Sequence, residues 1–260
     1  MTNRIQLDNL EEYNDPSAYD QENNHYVGEL PLLLEWAGKV NGPIIDLACG
    51  TGRLTLPLAK EGYQLIGIDV HKGMLEQAAK KAGKLNLDIQ WLQQDCTNFQ
   101  AGIRSPFIYM VGNSIQHFHT NEAQDQLLSS IKQHLQEDGI FIFDTRFPSA
   151  NELLQPATEE YWKTYMDGEN EIDVYTISSY DALKQIQHYT TIRKYKDHSA
   201  KIIDEKITNI SLRYTYPLEM ERLLKEHNLE IVNVYKDWKG TSIDSDSDYV
   251  VYICRKLPPR

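Results

Sequence analysis

From Pro43 onward the chain alternates short apolar runs with amphipathic stretches. Ile44 to Leu47 is a continuous apolar-rich run, bounded by Pro43 and by the glycines at 50 and 52. It predicts a buried strand, a tight turn and then a helix carrying Leu54, Leu58 and Ala59. Gln64 to Ile68 predicts a second strand, followed by a helix on which Met74, Leu75, Ala78, Ala79 and Ala82 share one face. Ile89 to Leu92 and Phe107 to Val111 predict the third and fourth strands. Leu127, Leu128, Ile131 and Leu135 form the stripe of a further helix, which Gly139 is expected to stop before a fifth strand, Ile140 to Phe143. Strands alternating with helices predict a parallel sheet covered by helices.

After Pro148 the period changes from helical to alternating. Ile172, Val174, Thr176 and then Ile186, His188, Thr190, Ile192 recur every second residue, which predicts a small antiparallel sheet inserted into the main fold. Pro217 opens a helix with Met220, Leu223 and Leu224, and Glu230 to Tyr235 and Tyr249 to Arg255 predict two last strands. Ahead of all this, residues 1–30 are polar and punctuated, and Leu32, Leu33, Leu34 and Trp36 begin a first helix. The expected organisation is a core of residues 1–150 and 215–260, whose N-terminal segment is a covering lid, with residues 151–214 as the insertion.

Composition narrows the class. With 260 residues, 41% of them hydrophobic and 25% charged, the chain has the composition of an ordinary globular domain large enough for one core and an elaboration. Its N-terminus lacks the basic-then-apolar layout of a signal peptide and no apolar run reaches membrane-spanning length, so a cytoplasmic location and no membrane partner are expected. Three widely separated cysteines, Cys49, Cys96 and Cys254, suggest neither a disulfide framework nor a zinc site. Asp244, Asp246 and Asp248 alternate as in a calcium loop, but Tyr249 and Arg255 occupy its glycine and bidentate-acid positions, so no metal is expected. The formal net charge of -12 opposes binding to nucleic acid and favours a small neutral or cationic partner molecule. A monomer and a homodimer are both compatible with the pattern.

The chemistry concentrates at the ends of the first strands. Asp46-Leu-Ala-Cys-Gly-Thr-Gly52 stands at a strand-to-helix junction, where glycines let the backbone turn tightly and approach a ligand. A dinucleotide fingerprint would require a third glycine where Thr55 stands, and a carboxylate at 46 repels a pyrophosphate while suiting a ligand with an ammonium and a sulfonium. S-adenosylmethionine (SAM) is such a ligand. Asp69, 19 positions after Gly50, ends the second strand where a carboxylate can accept from ribose hydroxyls, and Asp95 and Cys96 follow the third, where a carboxylate and a backbone N–H can meet an adenine.

Asp46 to Gly52 resembles motif I of the class I SAM-dependent methyltransferases, Gly67-Ile-Asp69-Val-His-Lys-Gly-Met74-Leu the second motif, and Gln94-Asp95-Cys96 the third. The likeness is strongest over residues 40–150. It implies an α/β, Rossmann-like, mostly parallel seven-stranded sheet with helices on both faces and an antiparallel last strand. It implies SAM held by Asp46, Ala48, Cys49, Gly50, Gly52, Arg53, Asp69, Val70, Met74, Asp95, Cys96 and Gly112. In similar enzymes an N-terminal segment closes over SAM, which would place Tyr13 and Tyr19 there.

Gly112-Asn113-Ser114-Ile-Gln116-His117, Phe143-Asp-Thr-Arg146 and the insertion before Leu212-Arg213-Tyr214 resemble small-molecule methyltransferases, among them sugar and glycine N-methyltransferases, which set an antiparallel insertion over the acceptor pocket. Asn113, Gln116 and His117 are therefore the expected residues beside the reacting atoms. Arg146, Tyr175, Arg193, Arg213 and Tyr214 are the expected acceptor contacts, with Tyr189, Tyr195 and Trp238 as further aromatics. The expected chemistry is methyl transfer to nitrogen or oxygen of a small molecule. A nicotinamide-dependent oxidoreductase and a non-catalytic SAM-binding protein are the alternatives.

Overall fold

The computed structural model describes residues 9–168 and 170–258, which form two compact units. The larger comprises residues 26–147 and 215–258. Its strands are β1 (Ile44–Leu47), β2 (Leu65–Asp69), β3 (Gln90–Gln93), β4 (Ser105–Met110), β5 (Leu135–Arg146), β10 (Leu229–Tyr235) and β11 (Tyr249–Lys256), and its helices α2 (Leu30–Ala37), α3 (Thr55–Lys60), α4 (Lys72–Lys84), α5 (Asn121–His134) and α7 (Pro217–Glu226). The smaller comprises residues 9–25 with 148–214. It holds α1 (Pro16–Asn23), the short α6 (Ala150–Leu153) and strands β6 (Glu160–Asp167), β7 (Asn170–Asp181), β8 (Ile186–Lys196) and β9 (Ile202–Arg213).

In the larger unit the seven strands run in the order β10-β11-β5-β4-β1-β2-β3. β1 pairs in parallel with both β2 and β4, while β11 is antiparallel to both its neighbours, as the resemblance implies. Strand residues divide by parity between two apolar layers, because successive side chains leave a strand on opposite faces. Ile45, Ile108, Phe141 and Phe143 pack with Leu127, Leu128 and Ile131 of α5 and with Met220, Leu223 and Leu224 of α7. Ile44, Phe107, Ile140 and Ile142 pack with Leu32 and Leu33 of α2 and with Leu56 and Leu58 of α3. Each fully buried aliphatic or aromatic side chain contributes about 1.5–3 kcal/mol relative to exposure, so these two layers hold the strand ends where the site residues lie.

Sequence and structure part company at the end of α5. Gly139 does not stop that helix: it ends at His134, and Leu135 is already extended (ψ 139°) and registered against Ser105 of β4. Burial of Leu135 within the sheet outweighs its place on the helical stripe. Asp138 takes the left-handed conformation (φ +59°), and Gly139 serves a close approach instead, since a Cβ there would lie 2.8 Å from the Gln136 carbonyl.

In the smaller unit β6, β7, β8 and β9 form a wholly antiparallel meander. The N-terminal residues belong to this unit. Asn9 exchanges two hydrogen bonds with the backbone of Ser211 (2.9 and 2.6 Å), and Glu11 accepts from the Asn209 backbone at 2.8 Å. At the centre of the attachment Arg193 of β8 donates to Glu12, Glu22 and Thr208 at 2.8–3.1 Å. Among the described residues no helix is long and apolar enough to cross a membrane.

One glycine in β2 is required by packing. A Cβ on Gly67 would stand 2.4 Å from Cζ3 of Trp91 and 3.0 Å from Sγ of Cys49, and one on Gly52 would stand 3.0 Å from the same indole. The bare backbone of Gly67 lets Trp91 of β3 lie across β2. Gly67→Ala is expected to displace that ring and destabilise the larger unit by about 1–3 kcal/mol, the usual cost of overpacking. A denaturant midpoint unchanged from wild type would show that Trp91 relocates freely.

Candidate active site

The ends of β1, β2, β3 and β4 open toward one edge of the larger unit's sheet, where ligands of open α/β sheets bind beside the point at which strand order reverses. β1 delivers Asp46, which is 2% exposed. Its Oδ2 accepts from Thr55 Oγ1 at 2.5 Å and from Tyr109 Oη at 2.8 Å, while Oδ1 is buried with no protein partner. Burial pushes this carboxyl up to about 7, against the lowering by Thr55 and Tyr109. Thr55, which stands where a dinucleotide fingerprint would have its third glycine, thus holds the carboxylate in place.

Beyond Asp46 the backbone turns through left-handed conformations at Ala48 (φ +55°), Gly50 (φ +54°) and Gly52 (φ +79°). A side chain at 50 would be strained, and its Cβ would lie 3.3 Å from the Met74 methyl. Cys49 is buried in the same turn, its thiol raised by burial and by Asp46, so it stays protonated. Arg53 donates to both carboxylate oxygens of Glu29 (2.9 and 2.8 Å) and to the Tyr26 carbonyl (2.6 Å). Glu29 is itself 2% exposed, so the arginine's charge is largely matched inside the protein.

Asp69 closes β2. Its Oδ2 accepts from the Gly50 N–H and its Oδ1 from the His71 N–H, both at 2.8 Å, so this carboxylate ties the turn after β1 to the start of α4. The cap of α4 is His71, whose Nδ1 accepts from Met74 N at 3.2 Å. Each oxygen of Asp69 keeps a second lone pair for a hydroxyl donor. Val70 is half-buried and its carbonyl accepts from Gln93. After β3, Asp95 Oδ1 accepts from Thr97 N at 2.9 Å and Cys96 is buried, its thiol raised.

The open oxygen of Asp46 and the glycine turn test whether SAM fits. An unpaired buried carboxylate oxygen requires a donor, which an ammonium supplies, and the turn leaves bare backbone where Cβ atoms would intrude. The open acceptor and the bare turn therefore fit SAM at the residues the resemblance names at and after the end of β1.

β4 is followed by Gly112 (φ +71°) and Asn113 (φ +58°), then by a single 3-10 turn, Ser114–His117. The side chain of Gln116 is 1% exposed and donates to the Arg146 carbonyl at 3.0 Å, which leaves its Oε1 without a protein partner. Asn113 Oδ1 is likewise buried and unpartnered. Burial and the neighbouring His119 pull His117 down to about 4, so its imidazole is neutral near pH 7 and a poor holder of a proton.

Asp46, Ala48, Cys49, Gly50, Gly52, Arg53, Asp69, Val70, Met74, Asp95, Cys96, Gly112, Asn113, Gln116, His117 and Arg146 belong to the larger unit. The other expected residues lie in the smaller one. There Tyr13 and Tyr19 pack ring to ring at 5.7 Å. Tyr175 lies under Lys194, and Tyr214 is fully buried with its hydroxyl between Tyr189 and Glu152. Arg213 is buried, and Arg193 is engaged as described above. Trp238 donates to the Tyr249 hydroxyl at 2.7 Å in the larger unit.

Sequence reasoning passed over Glu29, Thr55, Tyr109, Trp91 and above all Asp144. Asp144 is 1% exposed near the end of β5 and accepts from Gly112 N (3.2 Å), from Asn113 N (2.9 Å) and from the Tyr249 hydroxyl. Burial pushes it up to about 6, against the lowering by Tyr249 and Asn113. The available signal was an acidic residue closing an apolar strand in Phe143-Asp-Thr-Arg146.

Residues 44–139 match a family model described as a methyltransferase domain. A relative from Geobacillus sp. (strain WCH70) that bears a methyltransferase name is 33% identical over 101 residues, 39% of this chain and 41% of that protein. The chain thus matches about two fifths of that relative's length. The glycine/sarcosine N-methyltransferase of Halorhodospira halochloris is 24% identical over 220 residues, 82% of this chain and 75% of the relative. The crystal structure of a SAM-dependent methyltransferase from Clostridium acetobutylicum ATCC 824 superposes with a TM-score of 0.78 at 19% identity, covering 93% of this chain and 97% of that one, and shows a shared fold.

The raised Asp46 has a consequence for stability. A carboxyl whose folded value lies near 7 contributes stability that is fully present below its unfolded value and is lost as pH rises through the folded value. Relative to wild type, Asp46→Asn should therefore become progressively more stable between mildly acidic pH and pH above 7. Thermal unfolding of both proteins across that range checks this, and a constant difference in melting temperature would show that Asp46 ionises normally in the fold.

Proposed function

We propose that the chain, whose residues 44–139 match a methyltransferase-domain model, is a class I SAM-dependent methyltransferase that transfers the methyl group of SAM to nitrogen or oxygen of a small-molecule acceptor. The observation that carries this reading is a set of buried side-chain acceptors without partners, Asp46 Oδ1 at the end of β1 and Asn113 Oδ1 and Gln116 Oε1 after the adjoining β4. Such oxygens are costly unless a ligand brings N–H or O–H donors to them. An ammonium on the cofactor suits the first, and an amine or hydroxyl on the acceptor suits the other two. The relative named for glycine and sarcosine supports an acceptor of that size.

When bound, SAM supplies a methyl group on a sulfonium, open to in-line displacement by an acceptor lone pair with release of S-adenosylhomocysteine. The chain's own residues bind, orient and exclude water. Asp69 and Gly50 keep the turn after β1 closed on its ligand, and Asn113 and Gln116 orient the donor hydrogens of the acceptor so that its lone pair faces away from them. His117, held neutral, accepts a hydrogen bond rather than storing the acceptor's proton, so alignment and not general-base chemistry is the protein's main contribution. On this reading Arg193 serves the attachment of the N-terminal segment and not the acceptor.

Calorimetric titration with S-adenosylhomocysteine, SAM and NAD tests the cofactor, and tritium transfer from labelled SAM to a panel of amino acids, amino sugars and hydroxylated small molecules tests the reaction. Wild type should bind the first two ligands and not NAD. Asp69→Ala and Gly50→Val should each weaken S-adenosylhomocysteine by about 10–100-fold, the scale of a lost charged hydrogen bond. Preferential NAD binding would replace the methyltransferase reading, and binding without any transfer would reduce it to a SAM-binding role.

A further inference from the structure

We propose that Asp144 is a positioning residue for methyl transfer, setting the conformation of the Gly112–His117 loop and thereby the two open amide oxygens offered to the acceptor; this rests on the methyl-transfer reading above. Gly112 and Asn113 adopt successive left-handed conformations. The adjacent N–H groups of this turn face one point and form an anion seat. The Asp144 carboxylate fills it from β5, taking Asn113 N on Oδ1 and Gly112 N on Oδ2. For Asn113 this backbone conformation is strained, and strain of that kind persists only where surrounding contacts over-determine it.

A chain of donors fixes Asp144 in turn. Trp238 Nε1 donates to the Tyr249 hydroxyl, which donates to Oδ2 of Asp144. Trp238 is 4% exposed and Tyr249 pairs with Arg146 at the head of β11, so the relay is anchored in the sheet. The loop has a second tether to the same strand end, from Gln116 Nε2 to the Arg146 carbonyl, and an internal one from Ser114 Oγ to the Val111 carbonyl at 2.6 Å. Beside these tethers, Asn113 Oδ1 and Gln116 Oε1 are left without protein partners.

All three partners of Asp144 are donors, so only the ionised carboxylate satisfies them. A proton on Asp144, or an amide in its place, sets a further donor against existing ones and releases part of the turn. The charged and ionisable groups around it are Tyr249 from β11, Glu29 and Tyr26 ahead of α2, and Arg53, which is paired to Glu29 and whose guanidinium would lie 4.0 Å from a Cβ on Gly112; burial together with Glu29 raises the carboxyl to about 6 while Tyr249 lowers it. The turn therefore loosens as pH falls through that value.

The test follows the backbone amide resonances of Gly112 and Asn113 in the ligand-free full-length protein as pH is lowered. In wild type both amides should titrate together with a midpoint of about 6, and in Asp144→Asn neither should. Tyr249→Phe removes a hydrogen bond that lowers the carboxyl, so its midpoint should move to higher pH, a shift that mere loss of packing would not produce. In the tritium assay Asp144→Asn should cut turnover on the order of 10²-fold, the scale of a misplaced reacting geometry. Its affinity for S-adenosylhomocysteine should stay within about threefold, or some 0.6 kcal/mol. Amides that do not titrate, or an affinity that falls in step with turnover, would overturn the proposal. Titrating amides in an enzyme that methylates nothing in the panel would support the Asp144 wiring and place the failure in the methyl-transfer reading.

Discussion

Everything at the sheet edge depends on a carboxylate that the fold buries and only half satisfies. Asp46 sits in β1, the strand flanked by β2 on one side and β4 on the other. One of its oxygens is closed by Thr55 from α3 and Tyr109 from β4, which fixes the helix and the neighbouring strand to the same atom. The other oxygen is buried without a protein partner. The left-handed backbone at Ala48, Gly50 and Gly52 follows from this arrangement, because the chain must leave β1 and enter α3 within a few residues while Asp69 holds the Gly50 N–H from β2. A non-glycine residue in that conformation costs stability, and Ala48 shows that the surrounding bonds outweigh it.

The strand next to β1 repeats the device with the roles reversed. After β4 the left-handed pair is Gly112 and Asn113, and the carboxylate that holds it, Asp144, comes from the strand beyond, β5. Each turn is thus locked by an acid from an adjacent strand: Asp69 locks the turn after β1 and Asp144 the turn after β4. In both places the acid acts on backbone N–H groups, so the conformation belongs to the topology and not to any one side chain in the turn. Side-chain oxygens in the turn after β4 are then left without protein partners, as those of Asn113 and Gln116 are.

What the sequence disclosed about the site divides along this line. The turn after β1 was legible because glycine and aspartate at a strand-to-helix junction have few other uses, and Asp69 and Asp95 recur at consecutive strand ends. Asp144 was not, because its hydroxyl partner lies 105 residues away and its backbone partners carry no side-chain signature. Arg193 misled for the same reason. An arginine on an alternating strand reads alike whether it meets an anionic ligand or Glu12 and Glu22, which are 181 and 171 residues distant. The fold was legible almost throughout, since apolar periodicity reports burial directly. The miss at Gly139 came where two signals competed, and pairing of Leu135 with β4 prevailed over its helical spacing.

The charge balance of the larger unit gives these separate features a common sense. Glu29, Asp46, Asp69 and Asp144 are all buried, and Arg53 is spent on Glu29 through both oxygens. Burial lifts Asp46 to about 7 and Asp144 to about 6 and raises Asp69 as well, which is the mark of acids whose compensating charge is missing. A protein that maintained such a cluster for stability alone would do better with apolar residues of similar volume. A cationic ligand changes the balance: its charge favours the ionised form of each acid, and an ionised Asp46 and Asp144 are the forms that accept every donor around them. On the proposed function, a bound cation draws Asp69 and Asp144, the acids that hold the two turns, toward that ionised state.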